Sequence, residues 1–343
     1  MHTKDSERCR IVCSIGDPHG IGPEIILKSF LKLEQSNHSF LVCGSYSAME
    51  YYRKNLDLPV KLLNVVDKSE LQGVGAVQPG ILPVLSAAEP ETITPGTLSA
   101  DAGRVAMESL RVAAELCRDG ECDALVTAPI NKEAIALAGF RESGHTGFLG
   151  NMFGVHSPCM MFFDPVLDLK VALATIHVPL KEVPELIGSM DLDRFLLDLA
   201  RSLKTDFRIA APHIALLGLN PHASDGGVMG NEEAEIIKPC IERVSDRINI
   251  EGPFPSDGFF GAKRYRDYDI VVAMYHDQGL LPFKVLAFDT GVNVTLGLPI
   301  VRTSPDHGTS FDIAGKGVAS ERSFLEASKL AVRIAQNRKQ TES

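Results

Sequence analysis

The chain has no tryptophan, and aromatic residues make up only 6% of its 343 positions. Its seven cysteines (Cys9, Cys13, Cys43, Cys117, Cys122, Cys159 and Cys240) are odd in number and scattered, with no C-x-x-C pair. That excludes a disulfide framework and predicts reduced thiols. There is no H-E-x-x-H, so no short-range metal motif. There is no G-x-G-x-x-G either: Gly20-Ile21-Gly22 lacks the third glycine, and the usual dinucleotide fingerprint is absent. No basic run exceeds a pair and the net charge is −10, which argues against nucleic acid as a partner. Apolar runs are strand-length, and residues 1–10 are polar with no signal-peptide core. The expectation is a soluble, cytoplasmic protein with no membrane segment.

What is present is ordinary globular material, 45% hydrophobic and 23% charged, long enough for two lobes. Strand-like and helix-like segments alternate. Ile11–Ile15, Phe40–Cys43 and Asp123–Thr127 read as strands. Ile25–Leu33 (after Pro23), Ala102–Arg118, Leu192–Leu203, Glu232–Val244 and Arg322–Asn337 read as helices, the fourth with a kink or break at Pro239. The stretch Val74–Pro95, rich in Pro, Gly and small residues, fits a surface loop or short strands equally. Such alternation predicts an α/β fold with mainly parallel sheets and helices on both faces.

Three apolar runs each lead into a histidine. Val171–Ile176 meets His177, Ile214–Leu219 passes through Asn220-Pro221 to His222, and Ile270–Tyr275 meets His276. Short β-branched runs bounded by turns read as buried parallel strands, and ligands bind outside the carboxyl ends of such strands. A lone strand-end histidine is usually a hydrogen-bonded structural residue. Three at equivalent positions make a candidate site for a metal that does chemistry. Loops dense in Gly, Pro and polar residues follow nearly every strand, at Gly16–Gly22, Thr127–Lys132, Gly144–Phe148, Asn220–Gly230, Gly252–Gly258, His276–Lys284 and Thr303–Gly317. An acidic chain that binds an anion needs a local cluster of cations; Lys284 and Arg302 would each alone more often be a solvated surface cation, but both lie in loops beside the proposed ligands and are candidates. Gly20 and Gly22 suit a tight turn as well as an anion at the next helix N-terminus.

The tail His307-Gly308-Thr309-Ser310-Phe311-Asp312-Ile313-Ala314-Gly315-Lys316-Gly317 is similar to the adenosine-binding loop of isocitrate and isopropylmalate dehydrogenases. Along nearly its whole length the chain resembles the 4-hydroxythreonine-4-phosphate dehydrogenase family of vitamin B6 (pyridoxine) biosynthesis. The matching blocks are Gly-Asp-Pro-His-Gly-Ile-Gly-Pro-Glu (16–24), Thr-Ala-Pro-Ile-Asn-Lys (127–132), Gly-His-Thr (144–146), Ala-Thr-Ile-His-Val-Pro-Leu (174–180), Gly-Leu-Asn-Pro-His-Ala (218–223), Met-Tyr-His-Asp-Gln-Gly (274–279) and 291–317. One departure is His19, where some members have a small residue.

The resemblance implies a two-lobed fold of the isocitrate/isopropylmalate dehydrogenase type with its active site in the interlobe cleft. One lobe would comprise 1–135 with 285–343 and the other 136–284. It implies an NAD(P)-dependent oxidoreductase that uses a divalent metal (Zn2+, Co2+ or Mg2+) on a phosphorylated hydroxy amino acid. His177, His222 and His276 match the metal ligands. His145, Thr146, Asp257, Lys284, Asn293 and Arg302 match substrate-contacting positions; taken alone, Asp257 also suits an N-cap or turn. His307, Gly308, Asp312 and Gly315 match the cofactor loop. No residue is assigned as catalytic base. A homodimer with shared sites is implied, the histidine matching His276 completing the partner's site. Threonate and erythronate 4-phosphate dehydrogenases share the same blocks. From other classes, a phosphate acyltransferase would need neither the histidines nor the 307–317 loop. A zinc hydrolase would need an acidic base, for which Asp277 is the immediate candidate.

Overall fold

The structure, a computed structural model, describes residues 8–33, 36–72, 80–141, 144–156 and 158–342. Twelve strands occur among them: β1 (Arg10–Ser14), β2 (Ser39–Gly44), β3 (Lys61–Val65), β4 (Ile81–Ser86), β5 (Ala124–Thr127), β6 (Cys159–Asp164), β7 (Leu169–Leu173), β8 (His213–Leu217), β9 (Asn249–Phe254), β10 (Ile270–Ala273), β11 (Val292–Leu296) and β12 (Val301–Pro305). The helices are α1 (Gly22–Leu33), α2 (Tyr46–Asn55), α3 (Ala100–Arg118), α4 (Lys132–Leu137), α5 (His145–Phe153), α6 (Val183–Ser189), α7 (Leu192–Asp206), α8 (Lys238–Val244), α9 (Ser256–Gly261), α10 (His276–Ala287) and α11 (Arg322–Glu342). No described helix is long and apolar enough to cross a membrane.

The starts of several helices are written in their caps. Ser45 Oγ accepts from the Ala48 amide at 3.0 Å and Asp191 Oδ1 from Arg194 at 3.0 Å. Asn131 Oδ1 accepts from both Glu133 and Ala134 at 2.9 Å, satisfying amides that have no partner inside the helix. The segment read as one helix over Glu232–Val244 is two pieces. A wide π-type turn over Glu233–Ile237 leads into α8, with Pro239 in its first turn. Proline has no amide to donate back along the helix, so it sits where none is needed. Of Val74–Pro95, residues 74–79 lie outside the described residues, and 81–86 form β4.

The chain divides into two compact units, residues 1–157 with 298–343 and residues 158–297. These breaks fall later than 135 and 284, for a packing reason. Ile135 and Leu149 are buried in the first unit's core with Phe140, Phe148 and Phe153 against them. Leu280 and Phe283 of α10 belong to the second unit's core, and β11 pairs with β6. The first unit holds strands in the order β3-β4-β2-β1-β5-β12, all parallel. The second holds β11-β6-β7-β10-β8-β9, in which β6 runs antiparallel to β11 and β7 while β7, β10, β8 and β9 are parallel. The mainly parallel α/β expectation is met. All seven cysteines are free thiols, and burial pushes Cys13 and Cys122 up to about 12, which keeps them inert.

Candidate active site

In the second unit, β7, β10 and β8 lie side by side and parallel, so the segments carrying His177, His276 and His222 leave from one sheet edge. The strands are shorter than the apolar runs suggest. β7 ends at Leu173 and β10 at Ala273, and the remaining residues are tied together past their ends. The amides of Ala174 and Thr175 donate to the carbonyls of Ala273 and Met274 at 2.9 and 3.1 Å. Thr175 Oγ1 adds a bond of 2.7 Å to the Met274 carbonyl. Gln278, buried, then bridges two strand ends: its Oε1 accepts from the Met274 amide at 2.7 Å and its Nε2 donates to the Gly218 carbonyl at 2.6 Å.

His276 is not in a loop, as 276–284 was read, but is the first residue of α10. Its Nδ1 stands 2.7 Å from Asp277 Oδ1, which leaves Nε2 as the outward-facing nitrogen. The His177 and His276 rings are neighbours, with centroids 5.6 Å apart. His222 is exposed in a turn over Pro221–Gly227, in which five consecutive residues from His222 to Gly226 have positive φ between 44° and 74°. Left-handed backbone costs roughly 1 kcal/mol or more per non-glycine residue, so this turn is held from outside. Buried Glu233 does so, accepting from the Asn220 amide at 2.7 Å and from Asn220 Nδ2 at 2.9 Å. Among the described residues no group of three His, Cys, Asp or Glu is already gathered as a metal shell. Two imidazoles are adjacent and the third comes from the neighbouring strand end.

In the first unit, Arg302 is not a loop cation. It lies within β12, 3% exposed, and its Nη2 donates to Thr127 Oγ1 at the end of β5 at 2.7 Å. Burial pushes its guanidinium down to about 9. His145, read within a loop, begins α5. Its pKa is held well below the ordinary value, first by burial and then by the charge of Arg302. Its Nε2 is buried without a hydrogen-bond partner. A buried guanidinium, a hydroxyl and an unsatisfied imidazole nitrogen form a receptor for an anion with several oxygens. Thr146 follows His145 in α5, half-buried. Three other sequence candidates are in the second unit: Asp257 exposed in α9, Lys284 half-buried on α10 rather than in a loop, and Asn293 on β11 with a buried, unsatisfied Oδ1.

The segment 307–317 follows β12 and is irregular, with Asp312 and Gly308 exposed. His307 Nδ1 lies 3.1 Å from the Gly308 carbonyl. The loop is tied to the first helix by groups that pattern reading missed. Lys28 Nζ donates to the carbonyls of Gly317 and Ala319 at 2.9 and 2.8 Å, and buried Glu24 Oε1 accepts from the Ala319 amide at 2.9 Å. The Ile21 amide donates to the Thr309 carbonyl at 3.0 Å. Asp17, fully buried and accepting from the His19 amide at 2.8 Å, is pushed up to about 6 by burial. In the sequence, Asp17 and Glu24 stand in the matching block 16–24 without an assigned role, and Lys28 is marked only as part of a helix.

Comparison with known proteins gives a consistent result. Residues 36–331 match the family described as pyridoxal phosphate biosynthetic protein PdxA. A 4-hydroxythreonine-4-phosphate dehydrogenase from Prosthecochloris aestuarii is 60% identical over 330 residues, 95% of this chain and 97% of that one. A relative from Oceanobacillus iheyensis, 41% identical over 96% of this chain and 99% of its own length, is provisionally named D-threonate 4-phosphate dehydrogenase. The crystal structure of 4-hydroxythreonine-4-phosphate dehydrogenase from Klebsiella pneumoniae superposes with a TM-score of 0.82 at 33% identity, covering 95% of this chain and 99% of that one.

Proposed function

We propose, from the premise that this chain belongs to the PdxA family of pyridoxal phosphate biosynthetic proteins, that it oxidises 4-phosphooxy-L-threonine with a nicotinamide cofactor. The product is 2-amino-3-oxo-4-phosphooxybutanoate, which loses carbon dioxide to give 3-amino-2-oxopropyl phosphate. The observation that carries the reading is the buried Arg302–Thr127–His145 receptor in a chain of net charge −10. It suits a phosphate held by its terminal oxygens.

Each residue has a role in this scheme. Arg302 supplies the fixed positive charge, with Thr127 fixing its orientation and Thr146 adding a donor, while Lys284 of the second unit is a further cation for the substrate. His145, held well below its ordinary value by burial and by the charge of Arg302, shares a proton at Nε2 with an entering phosphate oxygen, whose negative charge opposes both effects. Asn293 Oδ1, buried and unsatisfied, is an acceptor for an ammonium or hydroxyl, and Asp257 can pair with an ammonium. His177, His222 and His276 would hold a divalent ion, and their fit rests on neutral nitrogen donors leaving one sheet edge, two of them adjacent. His307, Gly308, Asp312 and Gly315 would hold the adenosine end of NAD(P). When bound, the ion lowers the pKa of the substrate hydroxyl and the nicotinamide accepts hydride. Asp277 fixes the tautomer of His276, and Gln278 and Thr175 keep the strand ends in register. Loss of the carboxylate is ordinary for a β-keto acid, since the adjacent carbonyl accepts the electron pair.

We also propose a homodimer. Leu281, Val285 and Phe288, spaced along one face of α10 and its C-terminal end, are 66%, 77% and 77% exposed, and a second copy would cover them. The test of function is NAD+ or NADP+ reduction with 4-phosphothreonine, D-threonate 4-phosphate and D-erythronate 4-phosphate at equal concentration. Highest kcat/KM on 4-phosphothreonine supports the reading, and preference for threonate 4-phosphate would reassign the chain to the chemistry named for the Oceanobacillus relative.

A further inference from the structure

His19 is one residue at which this chain departs from some members of the pattern it resembles, and the structure gives it work. The side chain is 2% exposed. Its Nε2 lies 3.0 Å from the Thr92 carbonyl, and its Nδ1 lies 3.1 Å from both the carbonyl and the hydroxyl of Thr97, so one ring nitrogen can donate to Thr92 while the other accepts from the Thr97 hydroxyl. Its own carbonyl accepts from the Gly96 amide at 2.7 Å. A single residue therefore engages three positions of the segment 92–97. That segment has no regular structure and is largely exposed. Residues just before it are pinned separately to α3: the Glu91 amide donates to Asp101 and the Glu89 carbonyl accepts from Arg104.

The other side of 92–97 is the proposed cofactor loop. Gly96, at φ +80°, has room for no side chain, because a Cβ would stand 2.7 Å from the Phe311 carbonyl oxygen. Gly315, at φ +74°, meets Pro95 in the same way: a Cβ there would stand 3.0 Å from the ring. The turn carrying His19 touches the loop as well, through the bond from the Ile21 amide to the Thr309 carbonyl at 3.0 Å. Tyr52 fixes that turn from beneath, its hydroxyl donating to the Gly20 carbonyl at 2.8 Å. The imidazole thus sits at the root of a short flap whose tip packs on residues 311–315.

We propose that His19 is a positioning residue for the dinucleotide: it holds the flap 92–97 against the loop 307–315 and so fixes the wall on which the adenosine end rests. This rests on the reading of 307–315 as the cofactor loop. A small residue at position 19 would leave Thr92 and Thr97 unengaged from this side, and the flap would keep only the backbone bond from Gly96 and its packing on 311–315. The residue would then contribute to cofactor affinity without touching the reacting atoms.

The experiment compares the full-length parent with His19→Ala and His19→Asn. The asparagine keeps a short amide able to reach one carbonyl. NADH binding is followed by its fluorescence in the absence of substrate, and NAD+ and substrate KM are measured separately. Losing the imidazole's two hydrogen bonds to the flap predicts a roughly ten-fold weaker NADH Kd and NAD+ KM in His19→Ala. The asparagine variant should fall between the two, and the KM of the phosphorylated substrate should stay within about two-fold. Hydrogen exchange at 92–97 should rise in the apo variants. Should the alanine protein fail to fold, the asparagine protein carries the comparison. NADH affinity within about two-fold of the parent in a folded variant overturns the proposal. So does an equal loss of affinity for NADH and substrate, which marks a general structural role. A parent protein that binds no NADH overturns the cofactor-loop reading itself, and this inference with it.

Discussion

Replacing Arg302 by methionine separates stability from function in a way the structure makes quantitative. Burial holds the guanidinium down to about 9, well below its ordinary value. At about 1.4 kcal/mol per unit, the charged form is disfavoured in this site by on the order of 5 kcal/mol. Methionine fills similar volume without charge, and such exchanges of buried ions for apolar side chains are often neutral or stabilising by about 1–4 kcal/mol. Against that stands the lost bond to Thr127 Oγ1, worth about 1 kcal/mol. The ligand-free variant should therefore melt no lower than the parent. Function should move the other way. A guanidinium fork offers a phosphate two charged hydrogen bonds at about 1.5–3 kcal/mol each, so kcat/KM should fall by roughly two to four powers of ten. The assay is a pair of thermal melts, with and without inorganic phosphate or phosphorylated substrate. Saturating anion should raise the parent midpoint by a few degrees and leave Arg302→Met unmoved, while Arg302→Lys should keep part of the shift. A methionine variant that retains the phosphate-induced shift, or keeps kcat/KM within about three-fold, refutes the anion receptor.

Four further outcomes follow from the geometry. His177→Ala, His222→Ala and His276→Ala should each lose most bound metal by elemental analysis after dialysis, and full occupancy in two of the three would end the metal assignment. In an isolated His177→Ala/His276→Ala heterodimer, recovery of up to about half the parental activity means that sites are shared between subunits, whereas none means that each pair of adjacent rings serves its own chain. Gln278→Leu should lower metal occupancy while substrate phosphate affinity, read from the melts, stays put, because it frees the two strand ends without reaching Arg302; normal occupancy would show the bridge to be dispensable. His145 sets a pH dependence with a definite sign. Its folded pKa is depressed, so below about pH 6.5 the unfolded chain takes up a proton that the folded chain does not, and stability falls with pH. Urea melts at pH 7 and pH 5 should show a smaller loss for His145→Gln than for the parent, and equal losses would disprove the assignment.

How much could be foreseen depended on the range of the interactions involved. Ile11, Phe40 and Ile270 mark buried strands because continuous apolar runs suffice to specify them, and α3 and α7 announce themselves through periodicity and a capping side chain. The three strand-end histidines were legible for the same reason, since strand direction delivers them. α10 was hidden because His276-Asp277-Gln278-Gly279 and Pro282 look like loop, and only packing of Leu280 and Phe283 makes the segment helical. Arg302 looked like an ordinary surface cation. Its burial comes from β12 pairing with β5, a contact across 175 positions that no local pattern encodes. The unit boundaries were misplaced because α5 is weakly periodic, and it is Leu149 in the core that assigns it to the first unit.

The first unit is threaded in two pieces, with β12 and α11 supplied only after the whole of the second unit. On a ribosome, residues 158–297 can emerge and fold as an uninterrupted block, whereas the earlier strands must wait with one flank of β5 unpaired. The arginine of the proposed anion receptor arrives on the very strand that closes that flank. A nascent chain stalled before residue 301 therefore carries the three strand-end histidines and lacks the arginine proposed to receive the phosphate. Activity toward a phosphorylated alcohol would then be acquired last, in the same event that seals the exposed edge against aggregation.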